Sequence, residues 1–272
     1  MREKERPEGV LEVRDARAPL GSAHPSLPLW VRDGSILVLT HADLADPRVT
    51  GGWVGYFREK GKKACPVDAR VGTGLSVLRR LMDGESGETG PDRRNWWIVG
   101  LPNVGKSSLA NRLTGRAKAA TGGKPGVTRG EQYLRAGDLE LVDTPGLLWP
   151  RAAKLTILHL LGAVEGGDEE KEEAARYLLA HMAEAFPQRL VGRYGRPEGG
   201  EESEADLLAH VGKSRGCLLP GGKVNLQRAA EVVLDDFRSG KLGHLSMERP
   251  PAMAPETEIP AAVPLAAPEM EQ

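Results

Sequence analysis

Apolar and polar positions change period several times along the chain, and each change marks an element. Residues 9–14 (Gly-Val-Leu-Glu-Val-Arg) alternate apolar and polar, the spacing of a strand, and break at Asp15-Ala-Arg17-Ala-Pro19. Residues 35–39 (Ser-Ile-Leu-Val-Leu) are nearly all apolar, as a parallel strand covered on both faces requires, and run into Thr40-His41-Ala42-Asp43-Leu44. A helix is predicted over residues 49–60 and a strand over 64–67 ending in Asp68-Ala69-Arg70. A further helix over 74–82 places Leu75, Leu78 and Leu81 on one face. Residues 83–95 are polar, glycine-rich and free of aromatics, the composition of a flexible linker. The apolar run 96–99 then leads through a glycine-bounded loop, residues 100–107, into a helix bearing Leu109 and Leu113. Residues 121–128 are too glycine-rich to be regular, and a strand over 138–142 ends in Asp143-Thr-Pro-Gly146. Strands alternating with helices imply a parallel-type sheet with its ligand at the carboxyl ends of the strands, where all these unusual short motifs fall.

After Pro150 the pattern becomes helical. Residues 171–186 align Ala175, Leu178, Leu179, Met182 and Phe186 in one stripe. Ser203 and Asp206 resemble a capping box before Leu207, Leu208 and Val211. Asn225 is the expected cap of a helix carrying Leu226, Ala229, Ala230, Val233, Leu234 and Phe237, stopped near Gly240. The division expected from this is an α/β domain over 1–155, an all-α domain over 156–250, and a disordered Pro/Ala-rich tail over 251–272.

Charge narrows the function only a little. With 37 basic and 38 acidic side chains the formal net charge is −1, so contact with nucleic acid needs a local basic patch. Two cysteines, Cys65 and Cys217, without metal-ligand spacing read as reduced thiols. No apolar run has the length of a membrane span, and the charged first ten residues are unlike a signal peptide. The expectation is a cytoplasmic protein with no membrane contact.

The chemistry sits in the loop Gly100-Leu-Pro-Asn-Val-Gly105-Lys106-Ser107, a match to G-x-x-x-x-G-K-[ST] between a strand and a helix. Backbone N–H groups from Asn103, Val104 and Gly105, and from Lys106, Ser107 and Ser108 at the helix start, are suited to a phosphate chain. Lys106 would neutralise the outer phosphates and the Ser107 hydroxyl would ligate Mg²⁺. Thr128 is placed to add a loop hydroxyl to that ion, and Asp143 an outer carboxylate. The Gly146 backbone N–H is placed to sense a γ-phosphate. Asp43 is the expected base reader, because a carboxylate accepts two parallel hydrogen bonds from guanine and adenine offers no such pair. Thr40 and His41 would assist it, and Asp68 and Ala69 would back the base. The plain alternatives are that Asp43 caps a helix and that Asp143-Thr-Pro-Gly146 is an ordinary turn.

Taken together, Gly-Leu-Pro-Asn-Val-Gly-Lys-Ser-Ser-Leu, Lys-Pro-Gly-Val-Thr and Asp-Thr-Pro-Gly-Leu-Leu-Trp-Pro, preceded by Asp-Ala-Arg-Ala-Pro, resemble the ribosome biogenesis GTPase A family (YlqF-type). The resemblance continues through Arg-Gly-Cys-Leu and Leu-Gln-Arg-Ala-Ala-Glu-Val-Val-Leu-Asp-Asp-Phe-Arg-Ser-Gly-Lys-Leu-Gly, and covers residues from 10 to about 250. It implies an α/β, circularly permuted P-loop GTPase domain, with the guanine reader ahead of the phosphate loop, followed by an all-α C-terminal domain. It further implies GTP and GDP with Mg²⁺ as ligands and a role in late assembly of the large ribosomal subunit. The C-terminal helices would touch ribosomal RNA, and the protein is expected as a monomer. In related GTPases an asparagine at the place of Asn103 holds K⁺.

Three departures shape the expected chemistry. Thr40 and His41 stand where the family's guanine reader has Asn-Lys. Leu147 stands where many GTPases carry a catalytic glutamine. The Gly-His-Met segment ahead of the family's first strand, whose histidine is implicated in hydrolysis, has no counterpart in Met1-Arg-Glu-Lys-Glu-Arg-Pro. The catalytic group is therefore unassigned, and hydrolysis is expected to be slow unless stimulated. A GTP/GDP-binding adaptor without intrinsic hydrolysis is the alternative, and an ATP-using P-loop enzyme is disfavoured by Asp43.

Overall fold

The computed structural model describes residues 7, 9–24, 34–85, 94–115, 132–136, 139–143, 155–196 and 204–253. Strands β1 (Gly9–Asp15), β2 (Ser35–Thr40), β3 (Lys63–Pro66), β4 (Arg94–Val99), β5 (Gln132–Ala136) and β6 (Leu139–Asp143) form one sheet in the order β3-β2-β1-β4-β6-β5. Helix α1 (Pro47–Glu59) follows β2, α2 (Leu75–Glu85) follows β3, and α3 (Lys106–Thr114) follows β4. The pairs β3–β2, β2–β1, β1–β4 and β4–β6 are parallel, and β5 is antiparallel to β6. The expected parallel sheet is present, and β5 adds an antiparallel strand at one edge. Only two positions separate β5 from β6, too few for the crossover that a parallel pair needs.

Alternation along β1 and β2 decides which face each helix covers. Leu11, Val13, Ile36, Val38, Trp96 and Ile98 point to one side, where Leu78 of α2 and Leu109 and Leu113 of α3 cover them. Leu37 and Leu39 point to the other, against Trp53 and Phe57 of α1. α1 begins where the Asp46 carboxylate accepts the backbone N–H groups of Arg48 and Val49, with Pro47 in the first turn. The expected linker is shorter than residues 83–95, because α2 continues through Glu85 and β4 begins at Arg94. The carboxyl ends of β1, β2, β3, β4 and β6 thus share one rim.

The chain then builds a helical body from α4 (Leu155–Leu161), α5 (Asp168–Ala185), α6 (Pro187–Tyr194), α7 (Glu204–Ser214) and α8 (Leu226–Arg238). The stripe expected on α5 is its buried face: Ala175, Leu178, Leu179 and Met182 pack with Leu208 and Val211 of α7 and with Ala229, Val233 and Phe237 of α8. Asp168, Glu169 and Glu170 open α5, where carboxylates suit the positive end of the helix dipole. The Asn225 side chain caps α8 by accepting the Arg228 N–H at 3.0 Å. Ser203, the other expected cap, lies outside the described residues.

α4 joins the two bodies. Leu158 belongs to the sheet's core, whereas Ile157, Leu160 and Leu161 belong to the helical one. A returning segment after α8 adds polar contacts across the same seam. The Leu245 and Met247 N–H groups donate to the Leu44 and Arg17 carbonyls at 2.9 and 2.7 Å, and the Glu248 carboxylate accepts from Leu20 and Gly21. Pro251–Met253, the start of the expected tail, form a short 3-10 turn, with the Met253 thioether lying over Gly52 of α1. Among the described residues no helix is long and apolar enough to cross a membrane. Cys65 and Cys217 are unpaired in any disulfide and buried, and burial pushes the Cys65 thiol up to about 11.

Candidate functional site

The rim collects the loop between β4 and α3, the loop after β2 and the loop after β3. In the first, the chain turns through left-handed conformations at Asn103 (φ 58°) and Gly105 (φ 91°), the residue immediately before α3. A side chain at Gly105 would stand 3.4 Å from the Thr40 hydroxyl, and one at Gly100 would strike the Val13 carbonyl at 2.4 Å. Gly105 is therefore required by its backbone conformation, and Gly100 by its close approach to β1 as well. A glycine-bounded turn leading into a helix N-terminus is the shape of a phosphate cradle. The Lys106 side chain is buried and folds back over this loop, its ammonium donating to the Leu101 carbonyl at 2.8 Å. Ser107 is half-buried and Ser108 exposed in the first turn.

The loop after β2 is fastened to this cradle. Thr40 is 1 % exposed, and its hydroxyl sits against the Arg14 carbonyl at 3.0 Å and bonds the Val104 carbonyl of the phosphate loop. That hydroxyl serves the loop backbone and not the rim. His41 takes a left-handed conformation (φ 53°), and its Nδ1 lies 2.8 Å from an Asp15 carboxylate oxygen. Asp43 stands further round the turn, 3.6 Å from the Arg70 guanidinium of the loop after β3. The Asp68 carboxylate accepts the Arg70 and Val71 N–H groups at 2.7 and 3.3 Å, so it shapes its own turn. Ala69 follows it, half-buried. The structure thus brings Thr40, His41, Asp43, Asp68 and Ala69 to the rim that carries the phosphate loop.

Other expected residues divide. The register pairs Asp143 with Ile98, putting the end of β6 beside the strand that feeds the phosphate loop. Hard oxygens from Ser107 and Asp143 suit Mg²⁺ chemically. Thr128 and Gly146 lie outside the described residues. Among the described residues no cluster of three or more His, Cys, Asp or Glu side chains forms a separate metal site. The Asn103 amide nitrogen donates to the Gly162 carbonyl just past α4 at 2.6 Å, a bond that ties the phosphate loop to the helical body. It lends no support to a K⁺ ligand.

One feature of the site had no signal in local sequence pattern. Asp15, at the end of β1 and 1 % exposed, accepts the Arg17 backbone N–H and Nε at 2.9 Å each, and Nη2 at 2.8 Å, besides the contact with His41. Burial would raise the Asp15 carboxyl, but the Arg17 guanidinium and His41 outweigh it and hold the group well below the usual carboxylate range. Arg17 also donates to the Phe237 carbonyl at 3.2 Å and lies 4.5 Å above that ring. Its partner in α8 is 220 positions away, beyond the reach of any sequence pattern.

A glycine cradle leading into a helix from a central parallel strand, with base-side loops contributed by strands earlier in the chain, defines a circularly permuted P-loop nucleotide-binding domain. Comparison with known proteins agrees. The family described as "50S ribosome-binding GTPase" matches residues 95–190. Ribosome biogenesis GTPase A of Bacillus cereus is 36% identical over 92% of this chain and 88% of its own. The solved YlqF of T. maritima with bound GNP is 26% identical, with a TM-score of 0.63 over 90% of this chain and 93% of that one. Its GDP-bound counterpart superposes with a TM-score of 0.62 over 89% and 95%. The chain belongs to the ribosome biogenesis GTPase A family, whose members are GTP-binding P-loop proteins.

Proposed function

We propose that this protein is a Mg²⁺-dependent switch that binds and hydrolyses GTP during late assembly of the large (50S) ribosomal subunit. The observation that carries the reading is the bond from the Thr40 hydroxyl to the Val104 carbonyl, which fixes the base-side loop directly on the phosphate cradle. In this reading the N–H groups from Asn103 to Ser108 hold the phosphates and Lys106 swings from the Leu101 carbonyl to neutralise them. Asp43 reads guanine, with Ala69 behind the base. Ser107, Thr128 and Asp143 would hold Mg²⁺, which would offset charge on the phosphates. Gly146 reports the γ-phosphate to the helical body.

The helical body supplies the surface for ribosomal RNA. An open groove there is lined by Arg189, Arg193, Lys241 and His244, with the Arg193 guanidinium held flat by two bonds to Asp236 at 2.7 and 2.8 Å. Fixed guanidinium planes suit phosphate oxygens, and Arg196, Lys213, Arg215, Lys223 and Arg228 add charge elsewhere on the body. The protein would act in the cytoplasm as a monomer. GTP turnover measured in K⁺ buffer, with and without purified large subunits, tests the whole reading. Slow turnover accelerated by the subunits is the expected result. Binding without turnover in either condition would replace the switch by a nucleotide-dependent adaptor.

A further inference from the structure

The loop that faces the base is held in shape by one bond of its own and by one from outside it. His41 sits in the left-handed region, uncommon for residues with a side chain though less so for histidine, and neighbouring contacts hold it there. Two contacts do so. Its carbonyl accepts the Leu44 N–H at 2.9 Å, closing the turn that presents Asp43, and its ring nitrogen meets Asp15 at 2.8 Å. The ring carbon next to that nitrogen borders the phosphate loop, because a Cβ at Gly105 would lie 3.5 Å from His41 Cε1. Asp15 cannot swing away, since Arg17 grips both of its oxygens. Arg17 is fixed in turn by Phe237 of α8 and by the Met247 N–H on its carbonyl.

We propose that Asp15 is a positioning residue for guanine nucleotide binding: its carboxylate holds the His41 ring between the base-reading turn and the phosphate loop, and Arg17 anchors that carboxylate to the helical body. The inference rests on the guanine reading of residues 40–43. It adds a determinant from the end of β1, outside every nucleotide motif in the chain. His41 donates from Nδ1 to the carboxylate, which selects one tautomer and one ring orientation. Loss of either partner frees the turn, so Asp43 meets the base in a smaller fraction of molecules and apparent affinity falls by that fraction.

The test uses the full chain and fluorescent (N-methylanthraniloyl) GDP and ADP. His41→Ala and Asp15→Asn are each expected to weaken GDP binding by about tenfold, the worth of one charge-assisted hydrogen bond. The double variant should be no weaker than either single one. Preference for GDP over ADP should shrink along with the affinity, a change that general loosening of the fold would not produce. Asp15→Asn leaves Arg17 without its counter-charge, so the melting temperature of each variant is recorded. Should that variant not fold, His41→Ala and the ¹⁵N signals of the His41 ring decide: a proton on Nδ1 is expected. Unchanged GDP affinity in His41→Ala, independent losses in the double variant, or an Nδ1 without a proton would each overturn the proposal. A wild-type chain that binds no guanine nucleotide would instead remove the reading on which it rests.

Discussion

The nucleotide rim and the helical body are held together by opposite means. In the body, α5, α7 and α8 meet through Leu178, Leu179, Val211, Val233 and Phe237, and each wholly buried leucine contributes on the order of 1.5–3 kcal/mol. At the rim, shape comes from buried polar groups: the Thr40 hydroxyl on the Val104 carbonyl, Asp15 shared by Arg17 and His41, and Asp68 capping its own turn. Apolar packing tolerates small shifts because it has no direction. A buried hydrogen bond fixes orientation and is costly to leave half-made. A site that must present N–H groups and a carboxylate to a polar ligand needs the second kind of order, whereas a scaffold needs only the first. The seam between them borrows from both, with α4 contributing leucines to each core while Arg238 of α8 donates to the carbonyls at its end.

This contrast can be broken from either side. Leu178→Ala should have the largest effect on stability, about 2–5 kcal/mol from lost burial and the cavity left behind, measured by urea unfolding. Nucleotide affinity below the transition should change by less than about threefold, because nothing in the cradle touches that side chain. Lys106→Ala should do the reverse. Removing the ammonium from the phosphates is expected to weaken GTP binding about a hundredfold by titration calorimetry, with the unfolding midpoint little changed. If Leu178→Ala weakened nucleotide binding as strongly as Lys106→Ala, the two regions would not be separable.

A smaller effect follows from two histidines of the helical part, His159 buried and His181 half-buried. Burial is the main reason that His181 and His159 protonate below their ordinary value, so the fold favours the neutral rings. Their contribution to stability is present above about pH 6.5 and is lost as pH falls through that value toward the lowered one. The melting temperature should therefore drop between about pH 7.5 and 5.5, and His181→Leu should flatten part of that slope. The smallest effect is at the cap of α8, where Asn225→Ala removes the bond to the Arg228 N–H and should cost about 1 kcal/mol in urea unfolding.

What could be read from sequence follows the same division. Sequence pattern located β1, β2, β3, α1, α2, α5 and α8, through a period in β1, α2, α5 and α8 and through an unbroken apolar run in β2. α4 escaped, since Leu-Thr-Ile-Leu-His-Leu-Leu is buried against both cores and shows no period. β5 escaped because Gln-Tyr-Leu-Arg-Ala is short and lies at an edge, after a glycine-rich stretch that reads as irregular. The phosphate loop was legible because its chemistry is local, and its glycines follow from backbone geometry. The fastening of that loop was not: Thr40 meets Val104 across 64 positions and His41 meets Asp15 across 26. Thr40 and Asp68 were expected to face the base, and the structure instead commits the Thr40 hydroxyl to the loop backbone and the Asp68 carboxylate to its own turn. Asp-Ala-Arg at the end of β1 was visible only as part of a resemblance, and its geometry supplies the physical reason for both residues.

Guanine selection at this rim rests on Asp43, and one exchange puts it to the test. Asparagine at this position presents one donor and one acceptor in place of two acceptors, a pattern that matches xanthine and not guanine. Affinities of GDP, xanthosine diphosphate and ADP should be measured for the wild-type chain and for Asp43→Asn. The wild type should prefer GDP, and the variant should lose about a hundredfold in GDP affinity while gaining xanthosine diphosphate binding. A wild type that binds ADP as tightly as GDP, or a variant whose preference is unchanged, would contradict guanine selection through Asp43.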